Sequence, residues 1–196
     1  MGRITIASLT DHEATPSSRF RVRQLEPFLK AKGIELFDLP RKFSSQKAAQ
    51  IFPNKRIKRS FIKFTYALLQ EIGNVLETRN RIRKASTSDY TLISREIIDN
   101  FFSFEFFIPN NVILDLDDAI FTNGFFNLYK TKLLVKSSKM VFVPTTYIAD
   151  WCKQYSSNVH IVPTVVDTDR YFVAKKLIKT EFIVGWSGTS SNYRYL

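Results

Sequence analysis

Short apolar runs alternate along this chain with longer stretches in which apolar residues recur every three or four positions. Arg3–Leu9 predicts a strand, Thr10–Ser17 a polar loop, and residues from about Ser18 to Lys32 a helix. Ser18 is the expected N-cap of that helix, and Gly33 stands just past its end. Ile34–Leu39 predicts a second strand. Residues 54–80 predict a long helix with a stripe of Ile57, Phe61, Phe64, Leu68, Ile72, Val75 and Leu76. Tyr90–Ser94, Val112–Leu116, Met140–Val143 and Val159–Val162 are further strand-like runs, with helical stretches expected at about 96–106, 124–138 and 147–155. Strands alternating with helices imply an α/β domain: a doubly wound parallel sheet with both faces covered.

The pattern changes after Pro163. Residues 164–180 lack clear periodicity and read as a linker. A new strand at Phe182–Gly185 follows, then a Gly/Ser loop ending in the start of a helix. The expected organisation is a domain over 1–163, the linker 164–180, and the first strand and loop of a second domain over 181–196. An apolar strand left unpaired at a terminus is unfavourable, so the second domain is expected to be truncated.

Charge is concentrated. The formal net charge is +11, and residues 41–84 carry twelve Lys/Arg against Glu71 and Glu77. A block of that sign favours a polyanionic partner, or else forms a solvated helix face. Lys55, Arg56, Lys58, Arg59 and Lys63 cluster at the start of the long predicted helix, where they oppose its dipole. They are therefore the expected contacts to an anionic membrane surface. Nucleic acid is not expected, because the aromatics of that helix lie on its apolar stripe rather than among exposed cations. The longest run free of Asp, Glu, Lys and Arg, Gln154–Val166, is short and polar, whereas a membrane span needs about 20 apolar residues. No secretory signal is visible. One cysteine, Cys152, allows no internal disulfide, and two histidines make a zinc site implausible. The expected location is cytoplasmic, peripherally on the inner face of the membrane.

Open α/β sheets bind ligands at the carboxyl ends of their strands. The first such loop, Thr10–Arg19, holds no glycine, which disfavours a dinucleotide. It offers Ser17, Ser18, Arg19, Arg21 and Arg23 instead, groups that suit an anionic or polyhydroxyl ligand as well as an ordinary capped helix. Ile113–Ala119 is an apolar strand ending in Asp115, Asp117 and Asp118. Those carboxylates fit a Mg²⁺-dependent haloacid-dehalogenase-like phosphatase with Asp115 as nucleophile and Asp117 as general acid, a metal-binding site for a sugar nucleotide, or metal-free bonding to sugar hydroxyls. Structural capping is the plain alternative. Gly185–Thr189 could admit a diphosphate to backbone N–H groups or simply form a tight turn. No catalytic triad is visible.

Several segments, in this order, resemble family-4-like glycosyltransferases of the two-domain GT-B fold. They are Ser17–Arg23 with Leu25–Leu29 and Gly33-Ile34; Ser94-Arg95-Glu96; Leu114–Ile120; Val162–Tyr171; and Val184–Thr189. The resemblance implies a Rossmann-like amino-terminal domain that binds the acceptor and a second one that binds a nucleotide sugar. It also implies retaining transfer in the cleft between them, without a metal and with no cofactor beyond the nucleotide-sugar substrate. By residue, it implies acceptor contacts at Ser18, Arg19, Arg21, Arg95, Asp117 and Asp118, and donor-diphosphate contacts at Gly188 and Thr189. It assigns no catalytic residue. The family's donor-domain basic pair and paired-glutamate motif are absent, so the chain is expected to be inactive alone. A glycan or lipid-linked acceptor and a separate chain carrying the donor half are its expected partners. The rivals are the phosphatase and a basic binding module without chemistry.

Overall fold

A computed structural model describes residues 3–11, 15–42, 73, 75–95, 107–108, 111–173 and 184–186. Its centre is a six-stranded, all-parallel sheet: β1 (Ile4–Leu9), β2 (Ile34–Asp38), β3 (Tyr90–Ser94), β4 (Asn111–Asp115), β5 (Met140–Val143) and β6 (Val159–Ile161). The strand order is β2-β1-β3-β4-β5-β6. The chain steps outward from β1 to β2, then crosses back to place β3 on the other side of β1. This is a Rossmann-like, doubly wound α/β fold, and its switch point lies between β1 and β3.

Alternation along the strands sends two sets of side chains to opposite faces. One face carries Ala7, Leu9, Ile93, Leu114, Val141 and Val143, all buried. Against it pack Ile82 and Ala85 from a helix over residues 75–85, Leu134 and Val135 from α3 (Phe125–Ser137), and Ile148, Ala149 and Cys152 from α4 (Thr146–Cys152). This is the main core. The opposite face carries Ile6, Leu36, Leu92, Ile113 and Phe142, under α1 (Pro16–Arg21) and α2 (Glu26–Ala31).

Some boundaries differ from those read in the sequence, for local reasons. The expected helix 18–32 is two helices joined by a 3₁₀ turn at Arg23–Leu25. Pro27 has no N–H to give the Arg23 carbonyl and would clash with it, so the helix restarts at Glu26. The first helix begins at Pro16, not behind a Ser18 cap. Proline at the first helical position is already set to helical φ, and Thr15 occupies the N-cap position. Gly33 does close α2 in the left-handed region, at φ 76°. The long predicted helix runs past residue 80 to 85. In its described part the buried face is Thr78, Arg81, Ile82 and Ala85, while Val75 and Leu76 are exposed. The start of that helix and the expected helix at 96–106 lie outside the described residues.

The chain forms two compact units, Met1–Val166 and Asp167–Leu196. In the second, described residues form a turn in which Tyr171 N–H donates to the Asp167 carbonyl at 2.9 Å and Asp169 N–H to the Asp167 carboxylate at 3.1 Å. No described helix is long and apolar enough to cross a membrane.

Candidate functional site

The site grows from the carboxyl ends of β1, β3 and β4. The sheet ladder extends one residue past β3, where Arg95 N–H donates to the Asp115 carbonyl at 2.8 Å. Arg95 sits at φ 68°, a left-handed conformation unfavourable for a residue with a Cβ, and it is the only such non-glycine among the described residues. Strained backbone of this kind persists where surrounding structure over-determines it, and it concentrates at functional sites. The bend swings the Arg95 guanidinium over the loop after β4. Its Nε lies 3.2 Å from Asp117 Oδ1 and its terminal nitrogen 3.1 Å from Asp118 Oδ2.

The two carboxylates differ in setting. Asp118 is exposed, with two-thirds of its side chain accessible, whereas Asp117 is largely buried. Burial pushes the Asp117 pKa above the ordinary carboxylate value. Arg95 opposes this, Asp118 and Asp115 add to it, and Arg21 opposes it more weakly. Arg95 stands within ion-pair distance of Asp117 Oδ1 but off hydrogen-bond alignment, so that buried oxygen accepts no hydrogen bond. That oxygen is shut off from solvent, so the groups a ligand hydroxyl can reach here are the exposed Asp118 carboxylate and the half-buried Arg95 guanidinium.

Asp115, two residues earlier, is committed elsewhere. Both its oxygens receive Arg21, from Nε at 2.8 Å and from a terminal nitrogen in a second, shorter contact. The other terminal nitrogen donates to the Val162 carbonyl at 3.2 Å and to Thr164 Oγ1 at 2.9 Å. Gln24 adds a bond to the Val165 carbonyl at 2.7 Å. Arg21 and Asp115 are both buried, and the Asp115 carboxylate raises the Arg21 pKa above its ordinary value against desolvation. One bidentate pair thus joins α1, the end of β4 and the segment after β6.

A second knot lies across β1 and β2. Asp38 accepts from Thr10 Oγ1 and Arg23 Nε, each at 2.5 Å. Arg81 is buried and donates to the Leu39 carbonyl at 2.9 Å and the Thr10 carbonyl at 2.5 Å. Desolvation lowers its pKa to about 10, against the attraction of Glu77. The only described basic residue of the 41–84 block with a buried side chain is therefore a structural tie.

The residues singled out in the sequence meet different fates. Arg95, Asp117 and Asp118 come together. Ser18 and Arg21 are buried within the first unit, and the Ser18 and Ser8 hydroxyls are buried without a hydrogen-bond partner among the described residues. Arg19 is exposed and stacks 4.4 Å over the Phe20 ring. Gly188, Thr189, Lys55, Arg56, Lys58, Arg59 and Lys63 lie outside the described residues. No group of three His, Cys, Asp or Glu side chains among the described residues could hold a metal ion. Beneath α1 and α2 there is also a cavity of about 360 Å³, lined by apolar residues such as Leu25, Leu29, Leu92 and Ile113, with Arg21 and Asp115 also in its wall. Sequence reading missed the cavity, the left-handed Arg95 and the Arg21–Asp115 pair. The pair joins residues 94 positions apart, and no local pattern signals it.

No family model matches the chain, and no curated protein is significantly similar to it.

Proposed function

We propose that this chain is the acceptor-binding half of a GT-B-type retaining glycosyltransferase, with the acceptor held at the carboxyl edge of β3 and β4. One observation carries the reading: Arg95, held in a left-handed conformation, is bent over Asp117 and the exposed Asp118 beside the switch point. Carboxylates paired with a guanidinium recognise vicinal hydroxyls through both accepted and donated hydrogen bonds. The glycine-free first loop and the order of the family-like segments support the same assignment. In this reading Gly188 and Thr189 contact the diphosphate of a nucleotide sugar. Transition-state charge on that leaving group would be met by backbone N–H groups and by basic residues of a donor half. Arg21 and Ser18 shape the acceptor edge from beneath rather than touch the ligand.

The phosphatase reading loses its nucleophile, since both oxygens of Asp115 are held by a buried guanidinium. The test is an amide-resolved NMR titration of the full chain with a panel of hexoses, aminosugars and uronic acids at millimolar concentration. Shifts gathering on Ser94, Arg95 and Leu116–Ala119, and lost in Asp118→Asn, are expected. Shifts scattered over the surface, or Mg²⁺-dependent release of phosphate from p-nitrophenyl phosphate, would overturn the reading.

A further inference from the structure

Asp118 and Tyr147 follow neighbouring strands out of the same end of the sheet. β4 and β5 pair in parallel with Asp115 opposite Phe142, so the loops after them leave side by side. Beyond Asp118 the chain turns at once. Ile120 N–H donates to the Asp118 carbonyl at 2.9 Å, and a 3₁₀ turn follows at Ile120–Thr122. That turn seats Phe121 against α4, where Tyr147 and Trp151 stand one helical turn apart on a shared face. Phe121 meets both rings. It is stacked on Trp151 with centroids 4.0 Å apart and an interplanar angle of 2°, and tilted against Tyr147 at 6.3 Å. Trp151 in turn meets Tyr155 edge to face at 5.0 Å.

This row of rings is open at one end. Phe121 is buried, and Trp151 and Tyr155 are half-buried, but Tyr147 is 64 % exposed. Helix α4 begins right after β5, so its first turn, with Tyr147, lies at the carboxyl edge that carries Arg95 and Asp118. Packing accounts for Phe121 and Trp151. It leaves Tyr147 propped on Phe121 with most of its surface in water, a ring oriented before any ligand arrives.

A ring of this kind suits a sugar. Pyranose rings carry apolar patches of C–H groups whose partial positive charge matches the negative face of an aromatic ring. The phenol hydroxyl adds a polar tip for the sugar's own hydroxyls. Arg95 and Asp118 offer hydrogen bonds alone, and Tyr147 adds the apolar face they lack. Spacing sets the size of the ligand. Neighbouring strands lie about 4.8 Å apart, close to the advance of one sugar along a glycan. A glycan laid across the strand ends therefore brings successive sugars to successive loops.

We propose that Tyr147 is the stacking platform of a second subsite, and that the acceptor is a glycan of two or more sugars. One ring sits on Asp118 and Arg95 after β4, and the next on Tyr147 after β5. The proposal rests on the acceptor reading above and adds the length and ring character of the ligand.

The test titrates the full chain with cellobiose, maltose, lactose and diacetylchitobiose beside glucose, galactose and N-acetylglucosamine. It reads amide shifts and the ring resonances of isotope-labelled tyrosine. At least one disaccharide should bind about fivefold more tightly than its component monosaccharide, the gain expected of one ring face. It should shift Arg95 and Leu116–Ala119 together with the Tyr147 ring, whereas the monosaccharide shifts the first group alone. Tyr147→Ser should bring the disaccharide down to the affinity of the monosaccharide, and leave the monosaccharide within about twofold of the parent. Tyr147→Phe keeps the ring and should hold disaccharide binding within about twofold as well. The ring response is read in the parent and stands whether or not a variant folds. A silent Tyr147 ring, or a disaccharide that binds no better than its monosaccharide, overturns the inference, while shifts at Arg95 would keep the acceptor reading. If no sugar moves Arg95 or Leu116–Ala119, the acceptor reading fails and this inference with it.

Discussion

Replacing Arg21 by Met isolates what the buried pair does. The side chains of Arg21 and Asp115 are each 5 % exposed, so the change strands a carboxylate in the interior with no cation to meet it. Breaking a buried pair from one side costs about 3–5 kcal/mol, a large share of the roughly 5–15 kcal/mol that holds a domain together. With a urea slope of about 2 kcal/mol/M, the unfolding midpoint should fall by roughly 1.5–2.5 M at pH 7. Arg21→Met with Asp115→Leu removes both charges. The freed Val162 carbonyl and Thr164 hydroxyl belong to exposed residues and can turn to water. The double variant should therefore lie within about 1–2 kcal/mol of the parent. Equilibrium urea denaturation at pH 7, followed by circular dichroism, measures both variants. A single variant within about 1 kcal/mol of the parent, or a double variant no better than the single, would refute the reasoning.

Two further outcomes follow from the titrating groups. Asp117 has a raised folded pKa, so ionising it works against the native state. Stability from this group is fully present below the unfolded value of 3.8 and is lost as pH rises through the raised folded value. Asp117→Asn should therefore gain on the parent in thermal melts as pH rises from 3.5 to 7; a gain that is flat with pH would show that burial does not govern this carboxyl. Cys152 is buried and its thiol is pushed up to about 12 by desolvation. It should resist Ellman's reagent at pH 8 until urea unfolds the chain, and stoichiometric labelling of the native protein would contradict that burial.

Periodicity made most of the scaffold legible. The strands at Tyr90–Ser94 and Met140–Val143 fall at the residues expected, because an apolar run between turn signals has few other stable uses in a covered sheet. Gly33 closes α2 as expected, because only glycine adopts φ 76° without steric cost. The proline break at Glu26-Pro27 was open to local reading too, and needed only the rule that Pro27 cannot serve the Arg23 carbonyl.

What the chain could not disclose locally is which polar groups meet. Arg19, Arg21 and Arg23 look alike in sequence, yet one stacks on Phe20, one is buried against Asp115 and one binds Asp38. Asp115, Asp117 and Asp118 form a single acidic run, but alternation turns Asp115 beneath the sheet edge to Arg21, while the loop turns the other two up to Arg95. Helix α3 falls where a helical stretch is expected, but its outward aromatics answer to no pattern read in the sequence. Spacing along a strand or helix is set by backbone geometry, and any segment carries that information within itself. Ion pairs and exposed faces depend on strand order, and only the closed sheet brings β1, β3 and β4 side by side.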